Sequence, residues 1–178
     1  EAAGGSLAHV PLVSTLLATE ALVLAGTEAQ QAKWLPGIAS GDIIACVAWS
    51  EPGAVNPANV RTAAKAGALT GVKQPVADLA VAHVAIVVAA GADGPQLHIV
   101  DLNGADTAAV ETVDLVRRHG RLTLNATPAE ALGTAGDYQD WLDRAAVILA
   151  YEAIGTAGAA MAMTVDYAKT RVAFGQKI

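Results

Sequence analysis

The sequence predicts an α+β fold: a helical N-terminal segment, an antiparallel β-barrel as the middle domain, and the start of a C-terminal helix bundle. Three features carry that expectation. Apolar residues up to Gly41 follow a loose helical period. Between residues 42 and 133, short β-rich runs alternate with glycine-containing turns, the pattern of a barrel or sandwich. Residues 141–165 are almost wholly apolar, as in a helix buried among other helices. The boundaries fall at 1–41, 42–135 and 136–178.

In the first zone Leu12, Leu16, Leu17 and Val23 put apolar side chains on most faces of one helix, and Gly26 is placed to end it in the left-handed conformation. Thr27 and Gln30 have capping-box spacing, in which each side chain satisfies an amide of the first turn. The helix they open carries Trp34, Leu35 and Ile38, stops near Ser40-Gly41, and should break or kink at Pro36, which has no N–H to give. The middle zone opens with the apolar run 43–49, stopped by Glu51-Pro52-Gly53. Ala66-Gly67 reads as a hairpin turn, residues 84–89 as a continuous strand, and residues 91–95 as a second turn. Residues 97–101 and 122–124 read as alternating strands. In the third zone Asp137 is placed to cap a long helix, where Gly155, Ala157, Gly158 and Ala159 permit close helix approach. That helix needs covering, so the bundle is expected to continue beyond Ile178 or to be completed by another chain.

Composition excludes several classes of function. With 53% hydrophobic and 16% charged residues the chain is too apolar for a disordered segment. It holds 41 alanines and one Phe, so its core needs close backbone packing. The net charge of −6 and the lone basic cluster Arg117, Arg118 and Arg121 leave no stripe for nucleic acid. The single cysteine, Cys46, excludes an internal disulfide and a Cys-based zinc site, and suits a reducing, cytoplasmic setting. The start, Glu1-Ala2-Ala3-Gly4-Gly5, has no initiator Met or basic leader and reads as internal. Residues 145–165 carry Glu152 and are rich in Ala and Gly, which reads as a buried bundle helix rather than a membrane span.

Phosphate-loop, dinucleotide, zinc-protease and serine-hydrolase motifs are missing, and His9, His83, His98 and His119 lack ligand spacing. On the residues alone, Ser50 ends a strand, Arg171 complements a helix C-terminus, and Phe174 is a core aromatic.

Four segments in order carry a resemblance. Residues 26–41 read G-T-x-x-Q-x-x-x-x-L-P-x-x-x-x-G. Residues 45–54 contain Ser50-Glu51-Pro52-Gly53-Ala54, close to T-E-P-G-A. Leu69-Thr70-Gly71-Val72-Lys73 reads L-x-G-x-K. Residues 167–178 read Y-A-x-x-R-x-x-F-G-x-x-I. Together they resemble the acyl-CoA dehydrogenase family, in the manner of its divergent bacterial members and over essentially the whole chain, with both ends of a family subunit lacking.

The resemblance implies an FAD flavoprotein whose flavin lies between an N-terminal helical domain, a middle barrel and a C-terminal bundle. It implies cofactor contacts from Val47, Trp49 and Ser50, from Val76 and Ala77 on a second strand, and from Arg171 and Phe174. Ser50 replaces the family Thr and keeps its hydroxyl. Donors at that edge favour the negative charge that grows on reduction. Arg171 would reach the pyrophosphate of FAD bound mainly by a neighbouring subunit, and Phe174 would pack beside the adenosine end. Asn56 would be the substrate-binding position.

The departures are specific. Pro75 and Ala77 stand where the second flavin strand usually has an aromatic and a hydroxyl, and Asn56 and Pro57 replace a Ser and an Asp. Ala146 stands where many members have a substrate-binding Arg, and Ala145 where some have the catalytic base. Most members place that Glu beyond Ile178, so no catalytic residue is assigned here. Glu152 reads as a buried structural carboxylate. Two functions are compatible: the core of an active dehydrogenase acting on an acyl-CoA thioester, or a non-catalytic subunit paired with an active homologue. A homo- or hetero-oligomer, expected as a tetramer, with electron-transfer flavoprotein as acceptor, completes what the resemblance implies.

Overall fold

The computed structural model describes residues 10–53, 59–114 and 116–177. Its contacts divide the chain into a larger unit, Pro11–Ala145, and a second that takes in Ala146–Ile178.

The larger unit opens with α1 (Leu12–Ala25) and α2 (Glu28–Ser40). The strands follow as β1 (Ala45–Ala48), β2 (Ala63–Lys65), β3 (Ala68–Ala77), β4 (Val84–Gly91), β5 (Gly94–Asp101), β6 (Asp106–Val110), β7 (His119–Pro128) and β8 (Glu130–Leu132), with a short 3-10 turn at Leu79–Val81. The final helix, α3 (Ala135–Thr170), begins in this unit and runs into the second.

The α+β class is as expected, but the sheet is an open one. Its order is β6-β7-β3-β2-β4-β5-β8, with β1 beside β4. Two pairings are parallel, β1 with β4 and β2 with β4, so the strands are not wholly antiparallel.

Burial of β4 on both faces explains why its sequence is a continuous apolar run. Ala85, Val87 and Ala89 join Cys46, Leu69, Val76, Leu122 and Leu124 in one core. Val84, Ile86 and Val88, of opposite parity, are also buried. The apolar side of α1, Leu17, Ala18, Ala21 and Leu22, is buried in the same unit, and α1 packs on β1. The same double burial corrects the reading of residues 97–101 as alternating. Leu97, His98, Ile99 and Val100 are all buried, so both faces of β5 are covered. Cys46 is buried with them, and its thiol is pushed up to about 12 by burial and then by Asp78, which makes it inert at neutral pH.

The capping box at α2 forms as expected: Thr27 Oγ1 accepts from the Gln30 amide and Gln30 Oε1 accepts from the Thr27 amide. Gly26 ends α1 as expected, but not in the left-handed conformation. Its backbone is extended (φ −74°, ψ 140°), and a Cβ there would lie 2.4 Å from the Leu22 carbonyl oxygen, so close approach is what selects glycine. Nor does Pro36 end its helix. α2 continues through it to Ser40, fixed by the box at one end and by left-handed Gly41 at the other. The two-residue turn Ala66-Gly67 has positive φ at both positions (50° and 77°), as a type I′ hairpin requires.

Asp137 acts one turn inside α3 rather than as its cap, accepting from both the amide and the hydroxyl of Thr134. Trp141 is fully buried and donates its indole N–H to the Leu17 carbonyl at 2.9 Å, while stacking with Tyr138 and meeting Trp49 edge-on.

The second unit corrects another expectation. Among the described residues of α3 only Tyr138, Trp141 and Ala145 are buried, all at its start. Val147, Tyr151, Ile154, Met161, Met163, Val165 and Tyr167 are exposed, and Glu152 is half-buried rather than enclosed. By length and composition α3 is apolar enough to cross a membrane, a criterion the sequence reading held it to miss and one that a helix packed among other helices also meets. After α3 a small hairpin, β9 (Val172–Ala173) and β10 (Gln176–Lys177), turns at Phe174 and Gly175, both with positive φ (51° and 78°).

Candidate functional site

β1 ends the buried part of its strand at Ala48, and the next three residues form a ledge. Trp49 is 36% exposed, Ser50 is half-buried, and Glu51 is 6% exposed. The ledge is fastened to β3 by three bonds. The Gln74 amide donates to the Ser50 carbonyl at 2.9 Å. The Lys73 ammonium donates to the Trp49 carbonyl at 3.3 Å and to Glu51 Oε1 at 2.7 Å.

Lys73 is 0% exposed and Glu51 serves as its counter-charge. The carboxylate also accepts from the Thr62 amide and hydroxyl and from the Arg61 amide and Nε. Arg61 turns its other end onto the Pro52 carbonyl. Burial alone would raise the Glu51 pKa. The donors from Lys73, Thr62 and Arg61 outweigh it and hold the carboxyl at about 2, so Glu51 is ionised at neutral pH. Burial pulls the Lys73 ammonium below its ordinary value, and the Glu51 carboxylate opposes that shift. Gly71 makes room for the arrangement, since a Cβ there would stand 2.6 Å from Thr62 Oγ1.

Local sequence explains where these groups point. Leu69, Gly71 and Lys73 share one strand face by the two-residue period. The pairing of β3 with β7 then slips: Lys73 faces Leu122, but Val76 faces Gly120. Three steps along β3 therefore match two along β7, a bulge that turns Val76 into the core. This buried ion pair escaped the sequence reading because its members lie far apart in the chain. The signal was available: an inward lysine two residues from an inward Gly, following Leu69, demands an acid.

The predicted site residues fall as follows. Val47 is buried, and Trp49 and Ser50 form the ledge. Among the described residues Ser50 Oγ, half-buried, has no hydrogen-bond partner. Val76 is fully buried with its side chain in the core, leaving only its main chain for any ligand, and Ala77 is half-buried beside it. Asn56 lies outside the described residues, as does Pro57. Arg171 and Phe174 are in the second unit. Phe174 is fully exposed at its turn and not core. Arg171 is exposed, and among the described residues its side chain makes no ion pair, although the nearby Lys169 pairs with Asp166. A cleft of about 300 Å³ is lined by Glu51, Pro52, Arg61, Thr62, Gly71 and Val72. That is the lower limit for a ligand site, too small to enclose a dinucleotide.

Comparison with known proteins fits this architecture. Residues 1–42 match the family model for the acyl-CoA dehydrogenase N-terminal domain. The Tcur3481–Tcur3483 steroid ACAD variant superposes with a TM-score of 0.89 at 35% identity, over 98% of this chain and 49% of that one. The ChsE4–ChsE5 complex from Mycobacterium tuberculosis gives 0.87 at 26% identity, over 99% and 50%. An acyl-CoA dehydrogenase from Geobacillus kaustophilus gives 0.78 at 25% identity, over 89% and 48%. No curated protein matches the sequence. The chain belongs to the acyl-CoA dehydrogenase family, and it spans about half the length of these solved relatives.

Proposed function

We propose that the protein of which this chain is part dehydrogenates an acyl-CoA thioester at its α,β bond, with FAD as cofactor. The observation that carries this is the Trp49–Ser50 ledge: a half-buried hydroxyl without a partner among the described residues, beside an exposed indole, at the end of a fastened strand. FAD, when bound, supplies the hydride acceptor. Ser50 and the neighbouring main-chain donors would hold the ring edge and favour negative charge there. Trp49 would cover it against water. Arg171 offers a donor fork suited to the phosphate oxygens of an FAD bound mainly by a neighbouring subunit, and Phe174, exposed at its turn, offers an apolar ring to that same cofactor. The base that removes the α-proton would come from outside these residues, because Ala145, where some members of the family carry it, has no titratable group.

A second reading has its own support. Pro75, Ala77 and Ala146 replace groups that an active site of this family would use, and one neighbour is by name a complex of two differently named chains. In that reading this subunit is non-catalytic and lends Arg171 and Phe174 to a partner's FAD.

Visible absorbance of the purified full-length protein separates the two. The first reading expects bound flavin that bleaches anaerobically on adding acyl-CoA. The second expects flavin only when a homologous partner is co-purified. A colourless protein under both conditions contradicts the proposal.

A further inference from the structure

The flavin reading leaves the buried Glu51–Lys73 pair without a task. We infer that Glu51 and Lys73 are positioning residues: their ion pair clamps the Trp49–Ser50 ledge onto β3 and so fixes the edge against which the flavin sits. This rests on the flavin reading proposed above.

Three observations converge. The contacts lie on consecutive residues of both partners. Lys73 holds the Trp49 carbonyl at 3.3 Å and Glu51 at 2.7 Å, and the next residue, Gln74, holds the Ser50 carbonyl at 2.9 Å. The β3–β7 ladder slips directly after Lys73, so β3 is without regular pairing where it must support the ledge. A buried ion pair is also a poor device for stability alone, since an apolar pair of the same volume is often as stable. An apolar pair could not, however, engage the Trp49 carbonyl, the Arg61 and Thr62 amides and the Thr62 hydroxyl together. Those bonds fix direction, which suits a site where a hydroxyl must meet a ring edge within tenths of an ångström.

Arg61 and Thr62 extend the clamp. Both donate to Glu51 from the start of the β2 segment, and Gly71 permits Thr62 to approach β3. The ledge is therefore held from two neighbouring segments through one carboxylate.

The test uses the full-length protein, with its partner subunit if flavin requires one, in a double-mutant cycle. Lys73→Met, Ser50→Ala and their combination are compared with the parent for FAD dissociation constant, flavin visible spectrum and hydrogen exchange at the Gln74 amide. Lys73→Met should weaken FAD binding about tenfold and speed Gln74 exchange by a similar factor. In the Ser50→Ala background the same change should weaken FAD binding only about twofold, because the clamp acts through the ledge. If Lys73→Met does not fold, the neutral pair Lys73→Met with Glu51→Gln takes its place, with the same expectation. Equal weakening in both backgrounds, or slow Gln74 exchange in the folded variant, overturns the clamp. If Ser50→Ala leaves FAD binding and spectrum unchanged, the flavin reading itself falls, and the inference with it. The two failures are thus distinguishable.

Discussion

Glu51 is the residue whose protonation most directly tests the site's electrostatics. Its folded pKa, about 2, lies below its ordinary value of 4.5. A group depressed on folding contributes stability that is present above its unfolded pKa and lost as pH falls through the folded one. The contribution is of order 3 kcal/mol and should disappear between about pH 5 and pH 2. Acid unfolding of the parent should steepen in that window, and Glu51→Gln, already weakened at pH 7, should show a shallower dependence. Equal acid sensitivity of parent and variant would contradict the buried-carboxylate account. Arg171 makes a prediction of the opposite kind. Exposed and unpaired among the described residues, it contributes little to folding, so Arg171→Ala should leave the melting temperature unchanged. FAD retention should fall by about 1.5–3 kcal/mol if a charge-assisted contact is lost, and in the subunit reading only in the assembled complex. Retention equal to the parent's would return Arg171 to the role of a helix-end cation.

Among the elements, the start of α3 is the point where one side chain fastens a helix to the rest of its unit. Trp141 fills a fully buried position and satisfies the Leu17 carbonyl, so Trp141→Ala should cost about 3–5 kcal/mol, read from denaturant midpoints. Trp141→Phe should cost less, having lost only the indole donor and some volume. Which elements were legible follows from where their signals sit. The α2 capping box and the Ala66-Gly67 hairpin are local, written within four residues, and both form as the sequence predicts. The order of helices, strands and long helix was legible from period and run length. The parallel β1–β4 pairing was not, because nothing near residues 45–48 names a partner near residues 84–87. The open sheet and double burial of β5 were missed for the same reason: they depend on neighbours distant in sequence. Around the candidate site, the end of the strand before Ser50 was legible through the Glu-Pro-Gly that follows. The Glu51–Lys73 pair was hidden by sequence distance and by the β3 bulge, which interrupts the alternation that marks inward positions.

For the molecule as a whole, the described part of α3 beyond Ala145 presents Val147, Tyr151, Ile154, Met161 and Met163 to solvent. So much apolar surface on one helix is a demand for a covering surface. That cover comes either from the remainder of the full-length chain or from another subunit; in the second case the protein sediments as an oligomer at micromolar concentration, with itself or with a homologous subunit. A stable monomer would contradict the second. The central claim, that the end of β1 is the flavin edge, is tested most directly by a crystal structure of the full-length protein with FAD bound. The account predicts the isoalloxazine ring against Trp49, with Ser50 Oγ at about 2.8–3.2 Å from one of its heteroatoms. A ring bound elsewhere, with Ser50 facing only solvent or protein, would contradict it.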